Sequence, residues 1–332
     1  MRAFDYQRAS DLDAAQQGAD QPDTRFLAGG TTQLDLMKCE VERPARLVDI
    51  SHLPGLDAIH ITHDHLLLGA LAKMSHVADH PQVRDAAPAL ADSLSLAASA
   101  QLRNMATLGG NLLQRTRCSY FRDPQGYSAC NKRQPGSGCA AMDGVNRNHA
   151  VLGTSAHCIA TYPGDLAVAL TAFDAELHLR AVDGTVRQVP IASFFWLPGD
   201  RPDIEHDLSP GELITAIEIP ASAALRRSHY LKVRDRASYE FAAASAAVGL
   251  DLAEDGRTIR EARVALGGVA TVPWRAREVE QALQGQPLEE AVLRRAAELA
   301  TQGAVAHAHN GYKITLIPRV IARALMTAGG LA

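Results

Sequence analysis

Between Arg117 and Cys158 the chain reads "RCSYFRDPQGYSACNKRQPGSGCAAMDGVNRNHAVLGTSAHC", a tract with neither helical nor strand periodicity and rich in Gly, Pro and Asn. Loops of that length seldom stay compact inside a domain unless something pins them. Four of the five cysteines, Cys118, Cys130, Cys139 and Cys158, fall in this tract, while Cys39 stands apart and reads as a small buried side chain. Too few cysteines are present for a disulfide framework in a chain of 332 residues. Metal or cluster ligation, reactivity and plain burial remain, and the clustering favours a shared task.

Order surrounds the tract on both sides. Residues 10–18 read as a short helix with Ser10 as N-cap and Gly18 as its stop. "TRFLAGGTTQLDLMK" (24–38) is strand, glycine turn and amphipathic helix, with Leu34, Met37 and Leu36 on the buried side. "RLVDIS" (46–51) and "LLLGAL" (66–71) are strand-like, and one long helix is expected from Pro88 to Arg103. From Cys158 a strand is expected to lead through a turn at Pro163, Gly164 and Asp165 into a short helix and another strand, followed by the strand "LITAIEIP" (213–220). The character changes near 221–226; beyond lie a strand at 262–270 and helices at 288–302 and 314–328. The three histidines of "HITHDH" (60–65) read as a solvent-facing strand or turn, and His307, His309 and Asn310 as capping before the last helix.

Two glycine turns, "LAGGTTQL" (27–34) and "TLGGN" (107–111), each adjoin a helix or strand end. Glycine lets backbone amides approach an anion with no Cβ in the way, and Thr and Asn side chains add donors. A pair of such turns can wrap a pyrophosphate; each alone is equally explained as a tight turn. Neither matches GxGxxG or GxxxxGK[ST], so a Rossmann site or a P-loop is unsupported. A net charge of -4 with no Lys/Arg-rich run gives no pull toward nucleic acid. No apolar run reaches the roughly 18 residues of a membrane span. The N-terminal stretch lacks a charged start followed by an apolar core, so Sec export of this chain by itself is not expected.

"FLAGGTTQLDLMK", "ATLGGNLLQ", "YPGDLAVALTAFDAELHL", "GELITAIEIP" and "YLKVRDRASYEFA" occur in the order and spacing of the FAD-binding medium subunit of molybdenum hydroxylases. The resemblance to this xanthine dehydrogenase and aldehyde oxidase family runs from about residue 4 to the C-terminus. It implies an α+β fold. An FAD-binding domain of the vanillyl-alcohol-oxidase (PCMH) type would span 1–222, in subdomains of about 1–55 and 56–222 with a cysteine-rich loop at 117–158. A smaller α+β domain of the CO dehydrogenase flavoprotein type would span 223–332.

Carried across by position, the first turn (Leu27, Ala28, Gly29, Gly30, Thr31, Thr32, Gln33, Leu34) and the second (Thr107, Gly109, Gly110, Asn111) would hold the FAD pyrophosphate and nearby groups. Asp165 would accept hydrogen bonds from FAD, Ile214 would pack on the isoalloxazine, and Lys232 would lie near its pyrimidine edge. A cation there suits a flavin that gains negative charge on reduction. From spacing alone Lys232 reads as a solvated strand lysine.

Xanthine dehydrogenases lack the cysteine insertion. It resembles that of bacterial periplasmic-type aldehyde oxidoreductases and, more distantly, of 4-hydroxybenzoyl-CoA reductase, in which four cysteines ligate a [4Fe–4S] cluster. The resemblance thus implies Cys118, Cys130, Cys139 and Cys158 as cluster ligands. A structural zinc, with His149 or His157 replacing a cysteine, is the competing reading. Lys132, Arg133 and the amides of "PGSG" (135–138) are candidate donors to the cluster sulfurs.

The implied role is an electron-transfer subunit with no catalytic residue acting on aldehyde. A large molybdenum-cofactor subunit oxidises the substrate, a small subunit with two [2Fe–2S] clusters relays electrons, and this chain's FAD delivers them to an external acceptor. The compartment is cytoplasmic, or periplasmic by co-export with a signal-bearing partner. A flavin-free scaffold and a self-contained FAD oxidase are the alternatives, and the sequence offers no base or spare domain for the latter.

Overall fold

The computed structural model describes residues 1–19 and 21–331; Ala332, the end of the expected second domain, lies outside the described residues. Three sheets follow one another along the chain. Strands Asp5–Arg8, Arg46–Asp49 and Thr24–Leu27 form a parallel sheet with Arg46–Asp49 at its centre. Strands Ile59–Ile61, His65–Gly69, Leu213–Pro220, Glu176–Arg180 and Val186–Pro190 pair in that spatial order as an antiparallel sheet. A second antiparallel sheet orders Trp274–Arg275, Ile259–Gly267, Ala244–Leu252 and Ser228–Val233. Among the described residues no helix is long and apolar enough to cross a membrane.

The largest core packs the five-stranded sheet against helices Met74–Asp79, Pro88–Leu96 and Asp165–Ala172. Asp165–Ala172 is buried on every side, which accounts for its run of small and apolar residues. It touches Pro88–Leu96 and both long strands of the four-stranded sheet, so a residue at its start is held where the layers meet. The last helix, Tyr312–Gly329, covers the four-stranded sheet and closes a second core.

Five local expectations are corrected. The strand expected to lead into Pro163 is irregular chain across 158–164. The helix expected from Pro88 to Arg103 is two helices, Pro88–Leu96 and Ala100–Met105. Ala98 adopts a left-handed φ of 46°, and Ser99 caps the second helix by accepting a hydrogen bond from the Leu102 amide. The first helix is Leu12–Ala19; Asp11 accepts from the Ala14 amide at 2.8 Å, and Gly18 lies inside, packed against Val48. In Gln33–Lys38, Leu36 and Met37 are buried but Leu34 is exposed. The helix expected at 288–302 is Glu290–Ala297 followed by a tight turn, Glu298–Thr301. Of the "HITHDH" histidines, His60 and His63 face solvent and His65 is half-buried.

The cysteine tract holds one short helix, Ser119–Arg122, and a two-residue bridge between Cys130 and Cys139. Side chains carry the rest. Arg133 donates to the carbonyls of Tyr120, Phe121 and Tyr127. Asn146, fully buried, donates to Ala141 and Met142 carbonyls and accepts from the His309 amide at 2.9 Å. Asn310, also fully buried, donates to the Ala150 carbonyl at 3.0 Å. His309 and Asn310 therefore fasten the loop to the C-terminal unit.

Candidate cofactor site

The strand Thr24–Leu27 runs into the first glycine turn, where Gly30 takes a φ of +73° that side-chain-bearing residues rarely adopt. Gly29 packs so closely on Met105 and Ala106, the residues that lead into the second turn, that a Cβ there would clash with the Met105 carbonyl. The second turn opens helix Leu108–Leu112, with the Thr107 hydroxyl accepting from the Gly110 amide at 3.3 Å. The two turns are thus pressed together by sequence.

They meet on a cavity of about 580 Å³ lined by Ala28, Gly29, Gly30, Thr31, Thr32, Gln33, Thr107, Gly109, Gly110 and Ile214. Leu27, Leu34 and Asn111 do not line it. Gln33 Nε2 and Asn111 Oδ1 are buried and find no hydrogen-bond partner among the described residues. A buried polar atom left unpaired costs about 1–3 kcal/mol; Gln33 Nε2, a donor on the cavity lining, therefore fits a phosphate-bearing ligand, whereas Asn111 Oδ1 is an acceptor off that lining.

Asp165 and Lys232 lie elsewhere. Lys232 Nζ is 2.8 Å from Asp165 Oδ2 and donates to the Leu96 carbonyl at 3.1 Å. The Tyr230 hydroxyl donates to Asp165 Oδ1 at 2.7 Å and sits 2.9 Å from Ser245 Oγ. The Lys232 side chain is 1% exposed, so it is no solvated strand lysine. Complete burial pushes the Asp165 carboxyl above its usual range, against the pull of Lys232. Asp165 lines a second cavity of about 370 Å³ together with Gly164, Cys118, His149 and Phe241. Ile214 and Lys232, expected to flank one ring, do not share a cavity.

All four tract cysteines line one further small cavity. They are free thiols, and burial pushes Cys118 up to about 12 and raises Cys139 and Cys158. Backbone amides address the sulfurs: Phe121 and Tyr120 toward Cys118, Ala141, Met142 and Ile159 toward Cys139, Ala160 toward Cys158. Amides aimed at sulfur stabilise thiolate, so the donor set suits thiolate ligands of a cluster. His149 Nε2 lies 3.2 Å from Cys118 Sγ, whereas His157 turns outward to Asp200. Zinc needs its ligands about 2.0–2.3 Å from one point. Among the described residues no three His, Cys, Asp or Glu are placed to hold a metal ion, which bears on zinc and cluster alike.

The expected sulfur donors do not take that role. Lys132 Nζ binds Glu205 Oε1 at 2.6 Å and the Pro202 carbonyl at 3.0 Å, and Arg133 spends its guanidinium on loop carbonyls. In "PGSG" the Gly138 amide donates to Asn131 Oδ1 and the Ser137 amide to the Gln134 carbonyl. Side chains with strong fixed partners are not free to turn to sulfur. Sequence reasoning missed Tyr230, Glu205, Arg115 and the fully buried Lys313, which donates to the Gly268 carbonyl beside the second cavity. Tyr230 alone had a signal, its place two residues before Lys232 on one strand face.

Residues 2–222 match the family model described as the FAD binding domain in molybdopterin dehydrogenase, and residues 229–328 that of the CO dehydrogenase flavoprotein C-terminal domain. The chain belongs to the family of FAD-binding medium subunits of molybdenum hydroxylases. It is 44% identical to the aldehyde oxidoreductase FAD-binding subunit PaoB of Escherichia coli over 99% of both chains. It is 28% identical to the glyceraldehyde dehydrogenase medium chain of Sulfolobus acidocaldarius over 86% of this chain and 83% of that one. Among solved structures, a chain of quinoline 2-oxidoreductase from Pseudomonas putida 86 superposes with a TM-score of 0.75 at 25% identity, covering 99% of this chain and 98% of that chain. Carbon monoxide dehydrogenase from Hydrogenophaga pseudoflava gives 0.76 at 24% identity, covering 100% and 99%, and so shares the fold.

Proposed function

We propose that this chain is the FAD- and [4Fe–4S]-binding electron-transfer subunit of a molybdenum-dependent aldehyde oxidoreductase. It would take electrons from molybdenum and [2Fe–2S] partner subunits and pass them to an external acceptor. The observation that carries the reading is the pair of neighbouring glycine turns around one cavity, with Gln33, whose buried Nε2 donor has no partner, on its lining. The near full-length likeness to an aldehyde oxidoreductase FAD-binding subunit supports the reaction class.

In this reading the amides of Gly29 and Gly30 and the hydroxyls of Thr31 and Thr32 bind the pyrophosphate, while Gly109 and Gly110, whose amides serve the Ala70 carbonyl and the Thr107 hydroxyl, leave it room to approach. Because Ile214 shares that cavity and Lys232 does not, Ile214 packs against the part of the dinucleotide near the phosphates. Asp165, held by Lys232 and Tyr230, answers to a different part reached from the second cavity. Bound FAD supplies exchange between single-electron and paired-electron transfer, and a cluster supplies single-electron relay. Cys118, Cys130, Cys139 and Cys158 would hold the cluster. What supports a shared group is that all four line one small cavity. A flavin-free scaffold would leave Gln33 Nε2 buried and unpaired with nothing gained.

The test compares the chain alone with the chain co-purified with its partner subunits under anaerobic conditions. Aldehyde added to the complex bleaches the flavin band, and aldehyde added to the isolated chain leaves it unchanged. Aldehyde turnover by the isolated chain would refute the subunit reading.

A further inference from the structure

The larger cavity and the cysteine loop are joined by a row of buried charges that neither the glycine turns nor the cysteines explain. Arg115, four residues beyond Asn111, donates through Nε to Glu205 Oε2 at 2.6 Å and through Nη1 to Glu42 Oε1 at 2.6 Å. On its other oxygen Glu205 receives Lys132 Nζ at 2.6 Å. The three side chains are 19%, 17% and 11% exposed, so the set is shielded from water. Glu42, Arg115 and Glu205 line the larger cavity, while Glu205 and Lys132 line a small neighbouring cavity together with Cys158. Lys132 also lines the cavity shared by all four cysteines. One carboxylate therefore serves a cation on each side.

The two cations hold Glu205 ionised, at about 2, despite its burial. In a poorly screened interior a unit charge is felt across several ångströms, and charge beside a redox centre shifts its potential. We propose that Glu205 is a positioning residue that sets the reduction potentials of both redox centres together, by balancing Arg115 at the flavin cavity and Lys132 at the cysteine loop. The inference rests on the functional reading above, since it needs both groups in place. Removing the negative charge would leave the set of Glu42, Arg115 and Lys132 with one net positive charge, which favours the reduced, more negative form of each centre.

The experiment is a spectroelectrochemical titration of the full chain, purified anaerobically, alongside Glu205→Gln and Lys132→Gln. FAD, iron and sulfide are quantified in each sample. Glu205→Gln is expected to raise both midpoint potentials, and Lys132→Gln to lower that of the cluster with a smaller effect on the flavin. If Glu205→Gln fails to fold, the Lys132→Gln shift decides alone. Unmoved potentials with both groups loaded overturn this inference and leave the functional reading intact. Flavin without iron and sulfide in the unaltered chain overturns both.

Discussion

Gly29 has no room for a side chain: a Cβ there would meet the Met105 carbonyl carbon at 2.8 Å as well as its oxygen. Because backbone blocks it rather than a flexible side chain, Gly29→Ala must part the two turns. Overpacking of this kind costs about 1–3 kcal/mol. The expected outcome is a lower melting temperature and at least a tenfold loss of bound FAD, read by flavin release on denaturation. A second residue-level prediction concerns Asp165. Removing one partner of a buried ion pair strands the other charge and costs about 3–5 kcal/mol. Asp165→Ala is therefore expected to lose that much in urea denaturation, and the double change Asp165→Asn with Lys232→Met to recover most of it. At this scale the sequence was informative where a motif carried the residue, as with Gly29, Gly30 and Asp165. It was silent on Glu205 and Lys313, whose surroundings come from segments far apart in the chain.

The elements that matter most are the cysteine loop and the segment 201–206 that meets it. Glu205 is depressed from an ordinary 4.5 to about 2 in the folded protein. An unfolded chain binds that proton first, so the stability it confers is present above pH 4.5 and is lost as the pH falls toward 2. At about 1.36 kcal/mol for each pH unit of difference, the loss is on the order of 3 kcal/mol. Urea denaturation between pH 6 and pH 3 checks it: the acid-side slope is expected to flatten in Glu205→Gln. Burial also holds the His206 imidazole at about 4, which adds a separate decline beginning near pH 6.5. Strands Thr24–Leu27, Arg46–Asp49, His65–Gly69, Glu176–Arg180, Leu213–Pro220 and Ile259–Gly267 and the last helix were legible from hydrophobic alternation and period, but Asp5–Arg8, Val186–Pro190, Ala244–Leu252 and Trp274–Arg275 were not. The break at Ala98 was not, because "SLAASA" has good helix formers and its interruption is tertiary: the Leu96 carbonyl is claimed by Lys232 and Arg234 from a distant strand. The irregularity of the loop was legible, but its anchoring by Asn146 and Asn310 was not, since buried asparagines look like loop asparagines in a sequence.

In the whole molecule the fully buried helix Asp165–Ala172 lies between the five-stranded and four-stranded sheets and presents Asp165 where those two meet. The glycine turns close a cavity between the first two sheets. The five ordered motifs made this family legible from sequence, because each sits at a turn or strand the fold requires. The relative placement of Ile214 and Lys232 was not, since residues 18 apart in sequence belong here to different sheets. The account stands on one claim above the rest, that a single chain holds both a flavin and a four-cysteine cluster. Anaerobic purification followed by quantification of released FAD, iron and acid-labile sulfide tests it most directly. The account predicts one flavin with about four irons and four sulfides per chain, the iron falling away on substitution of Cys118, Cys130, Cys139 or Cys158. Flavin accompanied by zinc and no labile sulfide, or a chain without flavin, would contradict it.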